Sequence, residues 1–127
     1  FCSKLEKRYK TLIEAGKVRI YNCSIVDHTV TEKYDYIISG LPLNAFQVPF
    51  VNEILVKLAE LSKSGCKLSY FDYPIARDIA RLFVTPTERA RLDQIKKAKE
   101  TFCNQHQGYQ KNVLWNVPPA RVVHHTM

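Results

Sequence analysis

The chemistry this 127-residue chain can offer gathers in one stretch, Ser39-Gly40-Leu41-Pro42-Leu43-Asn44-Ala45-Phe46. The stretch combines a hydroxyl, an amide and a Gly/Pro loop. It follows Tyr36-Ile37-Ile38, a β-branched and aromatic run that reads as the end of a buried strand. Pro49 then marks the first turn of a helix. A strand that breaks into such a loop and feeds a helix is half of a βαβ unit. In open α/β sheets the ligand sits beyond the carboxyl ends of these strands, so Ser39–Phe46 is the expected binding loop. Other chemistries have little to stand on. Cys2, Cys23, Cys66 and Cys103 show no metal-ligand spacing and no C-x-x-C. They read as free thiols of a reducing, cytoplasmic compartment. His28, His106, His124 and His125 form no H-E-x-x-H or related pattern, so no metal site is expected.

The elements that must position this loop follow from periodicity. Phe1–Ala15 reads as an amphipathic helix with Phe1, Leu5, Leu12 and Ile13 on one face, closed by Gly16. Lys17–Ile25 alternates like a strand, Val26–Lys33 is a polar loop, and Tyr34–Ser39 is the next strand. Val48–Ser64 is a strong helix, since Val51, Ile54, Leu55, Leu58 and Leu61 recur at three- and four-residue steps. Gly65 ends it. Cys66–Tyr73 is a strand with Leu68, Tyr70 and Phe71 at least part-buried. Pro74–Phe83 reads as a short helix, and Glu88–Cys103 as a longer one with Arg89, Arg91, Lys96, Lys97 and Lys99 on its polar face. Tyr109–Trp115 and Ala120–His125 form a closing antiparallel hairpin turned at Asn116–Pro119. Strands alternating with helices predict an α/β domain with a mostly parallel sheet.

Charge is unevenly placed around a net +7. Residues 1–19 carry six Lys/Arg against two Glu, residues 20–75 four against six acids, and residues 76–127 nine against four. A basic rim around a near-neutral centre suits a polyanion, either nucleic acid or an anionic membrane surface. A solvated helix face is the plainer reading. No run of eighteen apolar residues predicts a membrane span. The start, Phe1-Cys2-Ser3-Lys4, reads as the interior of a longer protein.

The element order and three stretches within it resemble the second half of a class I S-adenosylmethionine-dependent methyltransferase, a Rossmann-like fold. The stretches are Y-D-Y-I-I-S-G-L-P-L-N-A-F at Tyr34–Phe46, S-Y-F-D-Y at Ser69–Tyr73 and V-L-W-N-V-P-P-A-R-V at Val113–Val122. They are most similar to the bacterial phospholipid N-methyltransferase-like family. The resemblance implies that residues 1–127 are the C-terminal part of a single domain, with the glycine-rich cofactor loop lying before Phe1. It implies S-adenosylmethionine as cofactor and an amine, such as a phosphatidylethanolamine-type headgroup, as methyl acceptor. Ser39, Gly40, Leu41 and Pro42 then form the catalytic loop, offering carbonyls and a hydroxyl to the incoming amine by orientation and electrostatics. Cys23, Ser24 and Ser39 fall on the cofactor side, Asn22-Cys23-Ser24 standing where the family places Gly-Asp-Ala. Leu43, Asn44, Phe46, Tyr70 and Tyr73 fall on the substrate side, with Trp115–Pro119 at the same rim.

Two departures shape the expectations. Cys23 replaces the carboxylate that would reach the adenine amine, and a thiol is the poorer acceptor. Leu43 replaces an aromatic that would stack a flipped base, which argues against a nucleic-acid substrate, although Phe46 supplies a nearby ring. An RNA- or DNA-directed methyltransferase and a non-catalytic methyltransferase-like interaction module are the alternatives. Half a Rossmann sheet exposes the faces its other half covers. A missing N-terminal half, a second chain or a homo-oligomer is therefore the expected partner.

Overall fold

The computed structural model describes residues 1–29, 31–73, 83–113 and 120–127. The elements run α1 (Cys2–Arg8), α2 (Lys10–Glu14), β1 (Tyr34–Ser39), α3 (Val48–Leu61), β2 (Ser62–Asp72), α4 (Pro86–Asn104), β3 (Gln107–Val113) and β4 (Ala120–Thr126), with a 3-10 turn at Leu43–Ala45 between β1 and α3. The four strands form one sheet in the order β1-β2-β4-β3. β1 runs parallel to β2, and both remaining pairs are antiparallel. The α/β class and the closing antiparallel pair are those expected; among these four strands one pairing of three is parallel.

The helix α3 buries Val51, Ile54, Leu55, Leu58 and Leu61, the five residues its periodicity singles out. All but Leu61 pack with Leu43, Leu68, Ile95 and Phe102 into one core between the α3/α4 layer and a single face of the sheet. Pro49 falls in the first turn of α3, where its missing N–H would be unpaired in any case. At the N-terminus of α4 the Thr85 hydroxyl accepts from the Glu88 N–H at 3.3 Å. This cap starts the helix at Pro86, two residues earlier than its apolar pattern indicates.

Several boundaries depart from expectation. The first helix is two short ones broken at Tyr9, and none of their residues is buried. Its apolar face meets no core, so tertiary packing does not hold it as one rod. Gly16 does close α2 at φ +69°, with Lys17 N–H bonded to Leu12 O and Gly16 N–H to Ile13 O. Lys17–Ile25 forms no strand. A strand needs a neighbour to bond its backbone groups, and among the described residues no strand pairs with it. Gly65 does not terminate α3: β2 begins at Ser62, and Gly65, at φ +83°, sits in a bulge. There the β1 register jumps from Tyr34 opposite Ser62 to Tyr36 opposite Lys67. The expected helix at Pro74–Phe83 and the turn at Asn116–Pro119 with Trp115 lie outside the described residues, Phe83 apart.

The second face of the sheet carries no layer of helices among the described residues. Tyr36 is 76% exposed and Ile38 80%, with Phe71, Tyr109 and Val113 also solvent-facing. β1 and β3 are the two edges.

Candidate functional site

The loop after β1 stands between two hollows. One, of about 400 Å³, opens between the Pro42–Ala45 turn, Phe71–Tyr73 at the end of β2, and Val84, Glu88, Arg91 and Leu92 at the start of α4. The other, of about 360 Å³, runs along β1. Tyr21, Cys23, Ile25 and His28 wall one side, Ser39–Leu41 the other, and Leu58 and Leu61 lie beneath. Both touch the carboxyl end of β1, the place an open α/β sheet offers a ligand. A roomier trough of about 700 Å³ lies between α3 and α4, away from the strand ends.

The loop thus divides the expected site residues. Cys23, Ser39, Gly40 and Leu41 line the hollow along β1, whereas Pro42, Leu43, Asn44 and Tyr73 line the one beside α4. Ser24 lines neither; its carbonyl accepts from the Asp27 N–H in a turn. Ser39 is buried, and its hydroxyl accepts from the Leu41 N–H at 3.4 Å, which shapes the turn itself. Phe46 packs edge-on against Phe50, gives its carbonyl to Arg91 and donates its N–H to the Leu43 carbonyl.

Tyr70 and Phe71 part company. Successive strand residues face opposite sides. Tyr70, expected on the substrate side, turns to the helix layer and is buried, while Phe71 stays exposed and lines the hollow. Tyr70 Oη lies 3.3 Å from Cys103 Sγ, which lies 3.3 Å from His125 Nε2. Burial, with the Cys103 thiol alongside, pushes the Tyr70 phenol above its ordinary pKa, so it stays protonated. Burial, helped by His106 and His124, holds the His125 imidazole below the usual histidine value. The native state therefore binds that proton less readily than the unfolded chain. The stability His125 contributes is complete above about pH 6.5 and is lost as pH falls from there through its lowered native pKa. Urea midpoints measured at about pH 7.5 and about pH 5.5 are expected to fall with acid, and the fall is expected to shrink in His125→Phe.

Arg91 and Lys99 are the residues that sequence reasoning placed wrongly. Both were expected on the solvent face of α4. Instead, Lys99 is 6% exposed and donates to Asp72 Oδ1 at 2.7 Å and Asn44 Oδ1 at 3.1 Å. Arg91 donates to the Phe46 carbonyl, to the Asn44 carbonyl at 3.0 Å, and to both oxygens of Glu88 at 2.9 and 2.5 Å. These bonds hold the Glu88 carboxyl below its usual pKa and the Arg91 guanidinium above its own. Two cations from α4 thus staple the 3-10 turn, and Lys99 ties it to the end of β2. The signal was present: Leu92, Ile95, Lys99 and Phe102 follow at steps of three, four and three, which puts Lys99 in the apolar stripe. Thr85-Pro86-Thr87-Glu88 likewise has the spacing of a capping box.

No cluster of three or more His, Cys, Asp or Glu side chains suited to a metal ion occurs among the described residues. Among the same residues no helix is long and apolar enough to cross a membrane.

Comparison with known proteins places this geometry in a fold. No protein-family model and no curated protein sequence matches the chain. Solved structures do, among them the following two. An O-methyltransferase family protein from Burkholderia thailandensis superposes with a TM-score of 0.65 at 12% identity, over 98% of this chain and 40% of its own. A putative O-methyltransferase from Nostoc punctiforme PCC 73102 gives 0.58 at 14% identity, over 96% and 40%. The chain therefore has the Rossmann-like fold of these proteins and spans about 40% of their length.

Proposed function

We propose that this chain forms the acceptor-side part of an S-adenosylmethionine-dependent methyltransferase domain, completed by further polypeptide from the same or another chain. One observation carries the reading: the loop after β1 has a hollow on each side, with Cys23 and Ser39 lining one and Leu43, Asn44 and Tyr73 lining the other. The names of the two structural neighbours support methyl transfer as the chemistry.

The hollow along β1 suits one wall of an adenosyl site. Ile25, Ile37 and Leu41 offer apolar surface, and Cys23, His28 and Ser39 offer polar atoms. Among the described residues no carboxylate lines it to take a ribose diol. The remaining contacts are assigned to the completing polypeptide, which would also cover Tyr36 and Ile38 and pair the free edge of β1. A second copy of the chain is the alternative cover. S-adenosylmethionine, when bound, supplies an electrophilic methyl group. The chain's own part is to orient: the Ser39–Asn44 loop, fixed from behind by Arg91 and Lys99, holds an acceptor in the second hollow so that little freedom is lost at reaction.

For the acceptor, the amine implied by the resemblance rests on loop carbonyls at Ser39–Leu41. A phospholipid headgroup at a cytoplasmic membrane surface would draw on the outward cations of α1, α2 and α4. That patch is smaller than the sequence suggests, because Arg91 and Lys99 point inward. Leu43 is buried and offers no stacking surface to a flipped base, so the nucleic-acid reading gains nothing. An interaction module is favoured by one observation, the apolar open face of the sheet.

The test is backbone amide NMR of the 127-residue chain titrated with S-adenosylhomocysteine to millimolar concentration. Shifts at Cys23 and Ser39–Leu41, with the outer face of α3 unmoved, are expected. A spectrum unchanged at those amides overturns the cofactor assignment.

A further inference from the structure

The hollow beside α4 has a polarity that says which kind of acceptor it takes. Asn44 lines it, and the orientation of its amide is fixed by chemistry. A lysine ammonium can only donate, so the atom 3.1 Å from Lys99 Nζ must be the oxygen. Lys99 in turn is pinned by Asp72, and the Asn44 main chain is held through its carbonyl by Arg91. With Oδ1 committed to the buried lysine, what Asn44 has left for a ligand is Nδ2, two N–H donors on a side chain that cannot turn over without stranding Lys99 against a second donor.

The two carboxylates of the lining do not reverse this polarity. Both oxygens of Glu88 accept from Arg91, and Asp72 accepts from Lys99. Counting Lys99, which pairs with Asp72 from outside the lining, the charges balance, and the rest of the lining is largely apolar, with Pro42, Leu43, Phe71 and Leu92 among its walls. Burying an ammonium there would need an unpaired anion.

We propose that Asn44 is a specificity-determining residue that selects an acceptor bearing a neutral oxygen on an apolar body, of the phenol type, over one bearing an ammonium. As the identity of a methyl acceptor, this rests on the methyl-transfer reading above. The physical basis is lone-pair count. A hydroxyl oxygen accepts from Nδ2 with one lone pair and keeps the other free. An ammonium has none, and a neutral amine would surrender its single pair to the hydrogen bond.

The experiment uses two aromatic fragments of similar size, phenol and benzylamine, on the 127-residue chain at neutral pH. Binding is followed by saturation-transfer NMR, and the site is located by amide shifts at Asn44 and Phe71–Tyr73. Phenol is expected to bind about tenfold more tightly, the worth of roughly one hydrogen bond. Asn44→Asp keeps an acceptor for Lys99 and removes both donors. Its amide spectrum away from the hollow is expected to match the parent, with phenol weakened about tenfold and benzylamine strengthened. Equal binding of the two fragments by the parent, a ratio unmoved in Asn44→Asp, or no shift at those amides with either fragment overturns the proposal. The cofactor reading fails separately. A chain that ignores S-adenosylhomocysteine but discriminates the fragments keeps Asn44's selectivity, and one that binds S-adenosylhomocysteine with a flat fragment ratio loses it.

Discussion

Lys99→Met is expected to destabilise the protein by about 3 kcal/mol, read from the urea midpoint at constant slope. The Lys99 and Asp72 side chains are 7% and 12% exposed, and their charged atoms lie 2.7 Å apart. Methionine matches the lysine stem in length and fills its channel through the core, so the loss reports the charge rather than a void. What remains is a carboxylate held out of water without its ammonium, together with an Asn44 Oδ1 deprived of its donor. Replacing both partners, as Lys99→Met with Asp72→Leu, is expected to recover much of the loss, because a buried pair roughly balances its own desolvation. A double variant as unstable as the sum of the singles would mean that the pair does not act as a unit. Exposed pairs offer the contrast. Lys10–Glu14 and Lys96–Glu100 lie on helix surfaces, and their removal is expected to change stability by less than about 0.5 kcal/mol.

Leu68→Ala is expected to cost about 3–4 kcal/mol. Leu68 is fully buried in the middle of β2, opposite Ile37 of β1 and His125 of β4, and it packs under α3 and α4. Truncation there removes contacts with both layers at once, and a central strand flanked on both sides cannot move in to fill the space. Ile38→Ala, one residue along the neighbouring strand but on the open face, is expected to stay within about 0.5 kcal/mol in the monomer. If the two substitutions cost the same, the open face is covered in solution.

The parts of this architecture that were legible in the sequence are those where one short-range pattern decides. The stripe Val51, Ile54, Leu55, Leu58, Leu61 can only be one face of a helix, and it is the buried face. The strand Tyr34–Ser39 and its loop are bounded by residues with narrow backbone preferences, and the strand ends where Ser39-Gly40 predicts. What misled were features decided by distant residues. Lys17–Ile25 has the alternation of a strand, but alternation does not supply a neighbour to bond. Tyr70 and Phe71 are both large and aromatic, so composition cannot say which faces the helices; the register against β4, Tyr70 opposite Val123 and Phe71 opposite Val122, decides it. Lys99 and Arg91 are typed as surface residues, and only the carboxylates and carbonyls brought to them by the fold make burial tolerable. The candidate loop was thus found from its own residues, whereas the staple that fixes it was not, because its members lie more than forty residues further along the chain.

Among the described residues helices lie on one side of the sheet only, and a sheet so placed makes stability a matter of mass action. Whatever covers Tyr36 and Ile38 binds the folded chain and not the unfolded one, and so adds to the unfolding free energy in proportion to the logarithm of its concentration. A cover present at a hundredfold its dissociation constant adds about 2.7 kcal/mol, close to the loss predicted for breaking the Lys99–Asp72 pair. If such a complement exists, the same substitution can be tolerated or ruinous according to how much of it is present. The mutational tolerance of this chain is to that extent a property of its surroundings.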